Sequence, residues 1–221
     1  MSNRISLFNF QVDMSFKDIA LSLIDMRYAP GKSSGFILSK VQDDIIFARH
    51  VTETLTETTI TSPYGDIEVF HVKDYLVNEF ELSDGLLKVN DATKSLAKLR
   101  QDLSKATNYR NSISSISLDL MKVSRYLSER KDDIRITSMD VVTYGLIPQS
   151  TVKMSIESNR CVMEKASKHL GDQPFEVRKL GIESEAGKAE ISHRGNIKIS
   201  GTDFYSDYFH RVLEKVISNR L

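Results

Sequence analysis

Asp66, Glu68 and Lys73 form the first group of residues whose types could support catalysis. Carboxylates beside a lysine are the parts of a metal-dependent nuclease, in which the acids hold Mg²⁺ and the lysine assists the attacking water. All three residues lie on one predicted strand, but the usual nuclease spacing places the lysine two residues after the second acid. Charges on the solvent face of a strand explain this group better than a metal site does.

A second group has the nuclease spacing, with Glu176 and Arg178 preceded by Asp172 or Asp140 as the first acid. Arginine stands where the lysine is expected, and a guanidinium cannot act as a base because it does not lose its proton in proteins. We interpret this group as solvated charge as well. A metal-dependent nuclease is therefore only the alternative to the function predicted below.

The histidines and the single cysteine do not form an obvious site. His50 and His71 flank a threonine-rich segment, and a hairpin there is expected to bring two imidazoles near one sheet position. A satisfied or exposed histidine is nevertheless more common than a metal-binding pair. Cys161 starts a predicted amphipathic helix with no base beside it, so it is best interpreted as a small core or boundary residue.

The nucleotide-binding and hydrolase motifs with known mechanisms are missing from the sequence. It contains no P-loop, no GxSxG, no HExxH and no GxGxxG after a strand. We therefore predict a non-catalytic protein without a cofactor, a metal site or catalytic residues, and we examine its binding surfaces instead.

The first candidate binding surface is the mildly basic stretch KVSRYLSERKDDIR. Basic side chains contact phosphates while an aromatic ring stacks on a base, which is typical of nucleic-acid recognition. Acidic residues within the stretch nearly cancel its charge, so a solvated helix and turn is the favoured interpretation. The candidate binding residues here are Lys122, Arg125, Tyr126, Arg130, Lys131 and Arg135.

Two further candidate surfaces are apolar. Tyr64 lies in the predicted turn Ser62–Gly65, where an exposed aromatic can anchor a protein partner, although a tyrosine folded over its own hairpin fits equally well. The predicted C-terminal helix carries apolar residues on more than one face, which favours deep burial or contact with another subunit. These residues are Phe204, Tyr205, Tyr208, Phe209, Val212, Leu213, Val216 and Ile217.

Composition narrows the function classes. The 221 residues are 40% hydrophobic and 27% charged, as in ordinary globular proteins, and 30 Lys and Arg balance 30 Asp and Glu. Proteins that bind nucleic acid mainly through phosphates carry a basic excess, so this balance counts against strong non-specific binding. One cysteine forms no internal disulfide, and neither a signal peptide nor a membrane span is predicted. We expect a cytoplasmic protein without a membrane role.

Local patterns predict several helices and strands in the first half of the chain. Alternating apolar residues from Ile5 to Val12 favour a strand, and Ser15 with Asp18 predicts a helix N-terminus. The β-branched residues from Thr52 to Thr61 favour a strand, and the turn at 62–65 predicts a hairpin that pairs 51–61 with 66–74. Few large apolar residues occupy its outgoing strand. A protruding arm or an edge strand is the natural interpretation.

A repeated pattern divides the chain near its middle. FELSDGLLKVND, at 80–91, and AEISHRGNIKISG, at 189–201, each predict two short strands around a glycine turn, followed by a helix. Placing Gly85 over Gly195 shifts the chain by 110 residues, about half of its length. This predicts two similar halves, 1–110 with the threonine-rich hairpin arm and 111–221.

The closing segment EISHRGNIKISGTDFYSDYFHRVLEKVI resembles a TATA-binding-protein-like repeat, with Gly195, Ile197, Ile199 and Gly201 matching its pattern. The resemblance covers about the last 50 residues and, more faintly, 78–105, where Asp91 replaces the second glycine. It implies two similar halves, each with a curved antiparallel sheet and helices on its convex side, and a role with nucleic acid. The DNA-wedging phenylalanines of the family have no counterpart that can be assigned.

We therefore expect an α+β protein with a largely antiparallel, curved sheet and helices on one face. The predicted function is non-catalytic binding, as a subunit of a larger assembly. Its expected partner is a protein or a second copy of the chain, engaged through a sheet edge, the hairpin arm or the C-terminal helix. Nucleic acid as the partner is the narrower version of this prediction, and a pure protein–protein adaptor is another.

Overall fold

A computed structural model of the protein describes residues 2–92, 96–129, 134–144, 147, 149–159, 162, 174–184 and 187–201. The described chain has an α+β fold dominated by a largely antiparallel, open sheet, which confirms that part of the predicted fold class. Across the described residues, no helix combines the length and the apolar character needed to cross a membrane.

The chain divides into two compact units. The arm unit comprises Phe8–Ser114, and the terminal unit comprises Met1–Leu7 together with Ser115–Leu221. The similarity of halves 1–110 and 111–221 stays a prediction. So do the predicted helices after Cys161 and after Gly201, because nearly all of their residues lie outside the described ranges.

The first strand of the chain crosses the unit boundary, and the arm unit holds most of the remaining early elements. Its strands follow the order β2-β3-β4-β5-β1. The elements are β1 (Ser2–Val12), α1 (Phe16–Asp25), β2 (Ser34–Gln42), β3 (Ile45–Thr61), β4 (Ile67–Ser83), β5 (Gly85–Asn90), α2 (Ala97–Ala106) and β6 (Asn111–Ser115), of which β6 pairs with β1.

Helix α1 starts where the sequence predicts. The Ser15 side chain accepts a hydrogen bond from the Asp18 backbone N–H at 3.1 Å, which satisfies one of the amides that a helix start leaves without a partner. The helix buries Ile19, Ala20 and Leu23, spaced as one face of a helix requires.

One hydrophobic core joins the helices of the arm unit to its sheet. Alternate residues of β3 and β4 point to the same side, and those on the core side are buried together with residues of α1 and α2. The cluster contains Phe10, Ile19, Ala20, Leu23, Phe36, Ile46, Ala48, Phe80, Leu82, Leu87, Val89, Leu99, Leu103 and Ala106.

The terminal unit is built from the later strands and one described helix. Its strand order is β1-β11-β10-β9-β7-β8, and α3 contacts β9. Asp119 caps α3, because its Oδ1 accepts hydrogen bonds from the backbone N–H groups of Met121 and Lys122. The elements are α3 (Leu120–Glu129), β7 (Arg135–Tyr144), β8 (Thr151–Glu157), β9 (Phe175–Ser184), β10 (Gly187–Ser192) and β11 (Asn196–Gly201).

Both predicted glycine hairpins are present, each within its own unit. β4 pairs with β5 around Gly85, which has φ +73°, and β10 pairs with β11 around Gly195, which has φ +75°. These left-handed values favour glycine. At Gly195 a Cβ would also clash with Ile116 Cγ2, so a side chain there would force a rearrangement.

Candidate docking surface on the hairpin arm

The strands β3 and β4 pair continuously from Ile46 opposite Leu82 to Thr61 opposite Ile67. We call residues 45–51 and 78–83 the root, and residues 52–77 the arm. β2 pairs with β3 only as far as Thr52, and β5 pairs only with β4 residues of the root. Beyond Thr52, no described strand pairs with the arm, although the Glu53 backbone N–H still donates to the Ser33 carbonyl. The arm is therefore a two-stranded ribbon about 30 Å long.

The predicted turn is correct, but the predicted second strand of the hairpin is too short. Gly65 N–H donates to the Ser62 carbonyl at 3.0 Å, as the predicted type I turn requires, and the Ser62 hydroxyl accepts from the Asp66 N–H at 3.1 Å. β4 does not end at 74 but continues through 17 residues to Ser83. The segment between the two turns contains no glycine or proline that would interrupt the strand.

One face of the arm is rich in threonine and apolar side chains, and we call it the threonine face. It consists of the even-numbered residues, because side chains alternate along a strand and directly paired residues share a face. Its members are Thr52, Thr54, Thr56, Thr58 and Ile60 on β3, and Glu68, Phe70, Val72, Asp74 and Leu76 on β4. Glu68 and Asp74 are its only charged residues.

The threonine face continues the side of the root that forms the core. The even-numbered root residues Ile46, Ala48, Phe80 and Leu82 pack with residues of α1 and α2. Farther along the same strands the large apolar side chains are solvent-exposed: Phe70 is 44% exposed, whereas Phe80 is 2% exposed. The arm thus extends a core surface beyond the helices that cover it.

The opposite face of the arm, which we call the charged face, carries ionic side chains. Lys73 Nζ lies 2.7 Å from Glu53 Oε1, and Glu57 lies directly opposite His71. This ion pair raises the pKa of Lys73, since the carboxylate stabilises the charged ammonium. The rings of Tyr75 and Tyr28 are arranged edge to face, with their centroids 6.4 Å apart.

The arm is acidic although the whole chain is neutral. It contains five acidic residues and one lysine, which gives it a formal charge of −4. The acids are Glu53, Glu57, Asp66, Glu68 and Asp74. Such a surface repels the phosphate backbone of nucleic acids and attracts basic partners.

Tyr64 stands at the tip of the arm and is 94% exposed, so it does not fold back over its own hairpin. Further large apolar side chains are exposed along both strands. They are Leu55, Ile60, Ile67, Val69, Phe70, Val72, Tyr75, Leu76 and Val77. Ile60, Phe70, Val72 and Leu76 lie on the threonine face, and the other five lie on the charged face. Exposed apolar area is typical of protein–protein contact sites.

A buried polar pair lies at the root. His50 Nε2 and Asp102 Oδ2 are 3.0 Å apart, and both residues are almost completely buried. The carboxylate also accepts a hydrogen bond from Lys98 Nζ at 3.1 Å, and the Phe36 ring lies beside the imidazole at a centroid distance of 5.1 Å. The pair links β3 to α2 where the arm leaves the core.

The two partners of this pair have shifted pKa values. Burial lowers the pKa of His50, and the hydrogen bond to Asp102 offsets only part of that effect. Burial opposes the ionisation of Asp102, but hydrogen bonds from His50, Ser34 and Lys98 outweigh it and lower the pKa of the carboxyl. The imidazole is therefore neutral and the carboxylate ionised near neutral pH.

The expected approach of His50 and His71 is wrong. His50 pairs with Asn78, and His71 pairs with Glu57, because the turn fixes the register at Thr61 opposite Ile67. The sequence did contain a signal for the burial of His50, which follows Ile46 and Ala48 at the spacing of a buried strand face, but it contained none for Asp102 as its partner.

The first candidate nuclease group is dispersed. Glu68 lies on the threonine face and Lys73 on the charged face, because an even and an odd position point to opposite sides of a strand. Asp66 hydrogen-bonds with Ser62 in the turn.

In the second group, Arg178 Nη2 lies 2.6 Å from Glu176 Oε2. The same guanidinium donates through Nη1 to His193 Nε2 at 2.8 Å. Asp140 accepts a short hydrogen bond from Ser155, and Asp172 lies outside the described residues. Throughout the described ranges, no three His, Cys, Asp or Glu residues gather as metal ligands would.

The basic stretch is described only in part. Lys122 and Arg125 are exposed on α3, Tyr126 is half-buried on the same helix, and Arg135 is exposed at the start of β7. Three-residue spacing makes Lys122 and Arg125 neighbours on the helix surface. Arg130 and Lys131 lie outside the described residues, as do Cys161 and the C-terminal segment.

Neither protein-family models nor curated protein sequences match the chain.

Proposed function

We propose that the protein is a non-catalytic subunit of a larger assembly and binds a protein partner through the threonine face of the arm. One observation carries the proposal: Phe70, Val72 and Leu76 continue the core side of the sheet but are exposed to solvent. About half of each side chain is still exposed, so its complete burial in an interface stabilises the complex by about 1 kcal/mol before the costs of association.

The shape of the arm supports the same function. Two-stranded hairpins are at best marginally stable in water when nothing packs against them. A ribbon with apolar side chains on an uncovered face gains stability when a partner covers it. Threonine suits this role because it favours the strand conformation while its hydroxyl keeps the uncovered face soluble.

The experiment compares two faces of one strand. Full-length protein is isolated with its partner from native cells, and the partner is identified by mass spectrometry and mixed with purified variants. We expect Phe70→Ser with Val72→Ser to weaken binding about tenfold or more, because two anchors leave the interface.

Ile67→Ser with Val69→Ser is the matched control, since it removes comparable apolar area from the charged face of the same strand. Both variants should melt at nearly the wild-type temperature. Equal retention of the partner by both double variants would refute docking through the threonine face.

The nucleic-acid version of this proposal concerns the terminal unit only. It is supported by the exposure of Lys122, Arg125 and Arg135. The arm, with a formal charge of −4, is unsuited to phosphate. A salt-dependent shift of short duplex or single-stranded DNA, lost on Lys122→Ala with Arg125→Ala, would support it.

We also propose the finer features of the predicted fold, namely two similar halves with helices on one face of a curved sheet, as in TATA-binding-protein-like repeats. Support comes from Gly85 and Gly195, which have nearly the same φ in the two glycine hairpins. Superposition of 78–105 on 188–215 in an experimental structure would test this.

A further inference from the structure

We infer that the partner presents a basic amphipathic helix to the threonine face, with its apolar strip on Phe70 and Val72 and its Lys or Arg side chains at Glu68 and Asp74. This inference rests on the proposed docking function. It adds the chemistry of the partner, which the exposure of the arm alone does not specify.

The order of side chains on β4 carries the inference. On the threonine face, β4 presents Glu68, Phe70, Val72, Asp74 and Leu76 in succession. An apolar pair is therefore bordered by a carboxylate on each side, and the two carboxylates are separated by about 20 Å along the strand. The even-numbered β3 residues opposite this row are uncharged. They are Thr52, Thr54, Thr56, Thr58 and Ile60.

A helix fits this pattern better than another strand ribbon does. In the root, the same side of β3 and β4 is covered by residues of α1 and α2, so a helix on the arm meets a surface of the type that helices already cover. About 13 helical residues span 20 Å, so basic residues near both ends of a segment of that length reach both carboxylates.

The negative charge of the arm distinguishes among the molecules that could bind the threonine face. Two arms placed face to face would bring Glu68 and Asp74 of both copies together, and each arm has a formal charge of −4. Like charges across an interface oppose association, and the same charge repels nucleic acid. A basic protein segment is the occupant whose charge complements the arm.

The probe is a synthetic peptide of about 18 residues with leucines on one helical face and lysines at both borders. Its counterpart has glutamates in place of the lysines. Binding to the full-length protein is followed by NMR chemical shifts and by titration at low and high salt. We expect the lysine peptide to shift Thr54, Thr56, Phe70 and Val72, with an affinity that falls as salt rises.

Charge reversals on the two faces of the arm separate a specific site from general attraction. Glu68→Lys and Asp74→Lys should each weaken the lysine peptide about tenfold, because each replaces a contacting carboxylate by a like charge. Glu57→Lys on the charged face makes the same change in net charge and should weaken it less than about threefold. Thermal melting confirms that these surface variants fold.

Three outcomes would overturn the inference. They are equal binding of the glutamate peptide, equal losses for Glu57→Lys and Glu68→Lys, and shifts confined to another surface. One such surface is the groove beside α1, lined by Leu21, Ile24 and Val41. If the lysine peptide fails while Phe70→Ser with Val72→Ser still releases the native partner, the docking function stands and the basic chemistry is wrong.

Discussion

The root and the arm are two parts of one hairpin, with the same strands, one register and the same alternation of side chains. At the root, residues of α1 and α2 pack on the even-numbered side chains, and Phe80 is 2% exposed. Ten residues earlier on β4, Phe70 points to the same side and is 44% exposed. The difference shows that strand pairing alone does not bury a side chain; a second layer is needed.

The residues of the two parts differ accordingly. β3 places Ile46, Ala48 and His50 on the core side of the root but a row of threonines on the same side of the arm. Threonine keeps the strand conformation favourable with less apolar area in water. The charges of the arm also discourage pairing with unrelated strands, the usual risk of an open edge.

The largest expected effect on stability comes from removing one phenylalanine side chain from the root, compared with one from the arm. Phe80→Ala should lower the free energy of unfolding by about 4 kcal/mol, because it leaves a cavity in the core. Phe70→Ala should lower it by less than about 1 kcal/mol, because the ring is exposed. Urea denaturation of both variants measures the difference. A similar loss for both would mean that the protein itself covers the arm.

A second pair of variants tests the polar side chains. Asp102→Ala should destabilise the protein by about 3 kcal/mol, because it leaves the buried Nε2 of His50 without its partner. Asp74→Ala, on the exposed arm, should change stability by less than about 0.5 kcal/mol. The same urea titrations provide the values. Nearly equal values would show that the pair at the root does not stabilise the fold.

The pH dependence of stability also distinguishes the root from the arm, because the buried pair that causes it lies at the root. The pKa of His50 is lower in the folded protein than its ordinary value of 6.5, so the unfolded chain binds the proton more readily. Stability is therefore fully present above about pH 6.5 and falls as the pH decreases below it. Asp102 adds a further loss below its ordinary pKa of 3.8.

Urea denaturation between about pH 5 and 7.5 tests this sign. His50→Gln should flatten the dependence, since glutamine stays neutral. His71→Gln, on the exposed arm, is the control and should leave the dependence unchanged. A wild-type slope in His50→Gln would assign the effect to other groups.

The smallest expected effect is on the charged face. Lys73→Gln removes the ion pair with Glu53, and the lysine side chain is 59% exposed. Water screens such a pair, so the midpoint of urea denaturation should stay almost unchanged. A clear decrease of this midpoint would show that this part of the arm is shielded from water.

Several features could be predicted because they depend on neighbours in the sequence. Ser15 starts α1, Ser62–Gly65 forms the turn of the arm, and Gly85 and Gly195 occupy hairpin turns with positive φ. Each depends on the backbone preferences of a few adjacent residues. The same turn placed Tyr64 at the tip of the arm, but only the structure showed that its side chain is exposed.

The pairing partners of the polar residues could not be predicted in this way. His50 and Asp102 are 52 positions apart and meet only because β3 and α2 pack in one core. The prediction of a histidine pair failed because the register that starts at the turn, with Thr61 opposite Ile67, places His71 opposite Glu57 and His50 opposite Asn78. In a hairpin the turn sets the register, and every cross-strand partner follows from it.

The sequence by itself determined the α+β class, the threonine-rich hairpin and the acidity of its arm, because composition, side-chain alternation and turn residues are local properties. Only the tertiary structure decided which part of that hairpin is core and which is surface. The alternation of side chains is the same in both parts. What differs is the reach of α1 and α2, whose packing positions follow from contacts between residues far apart in the chain.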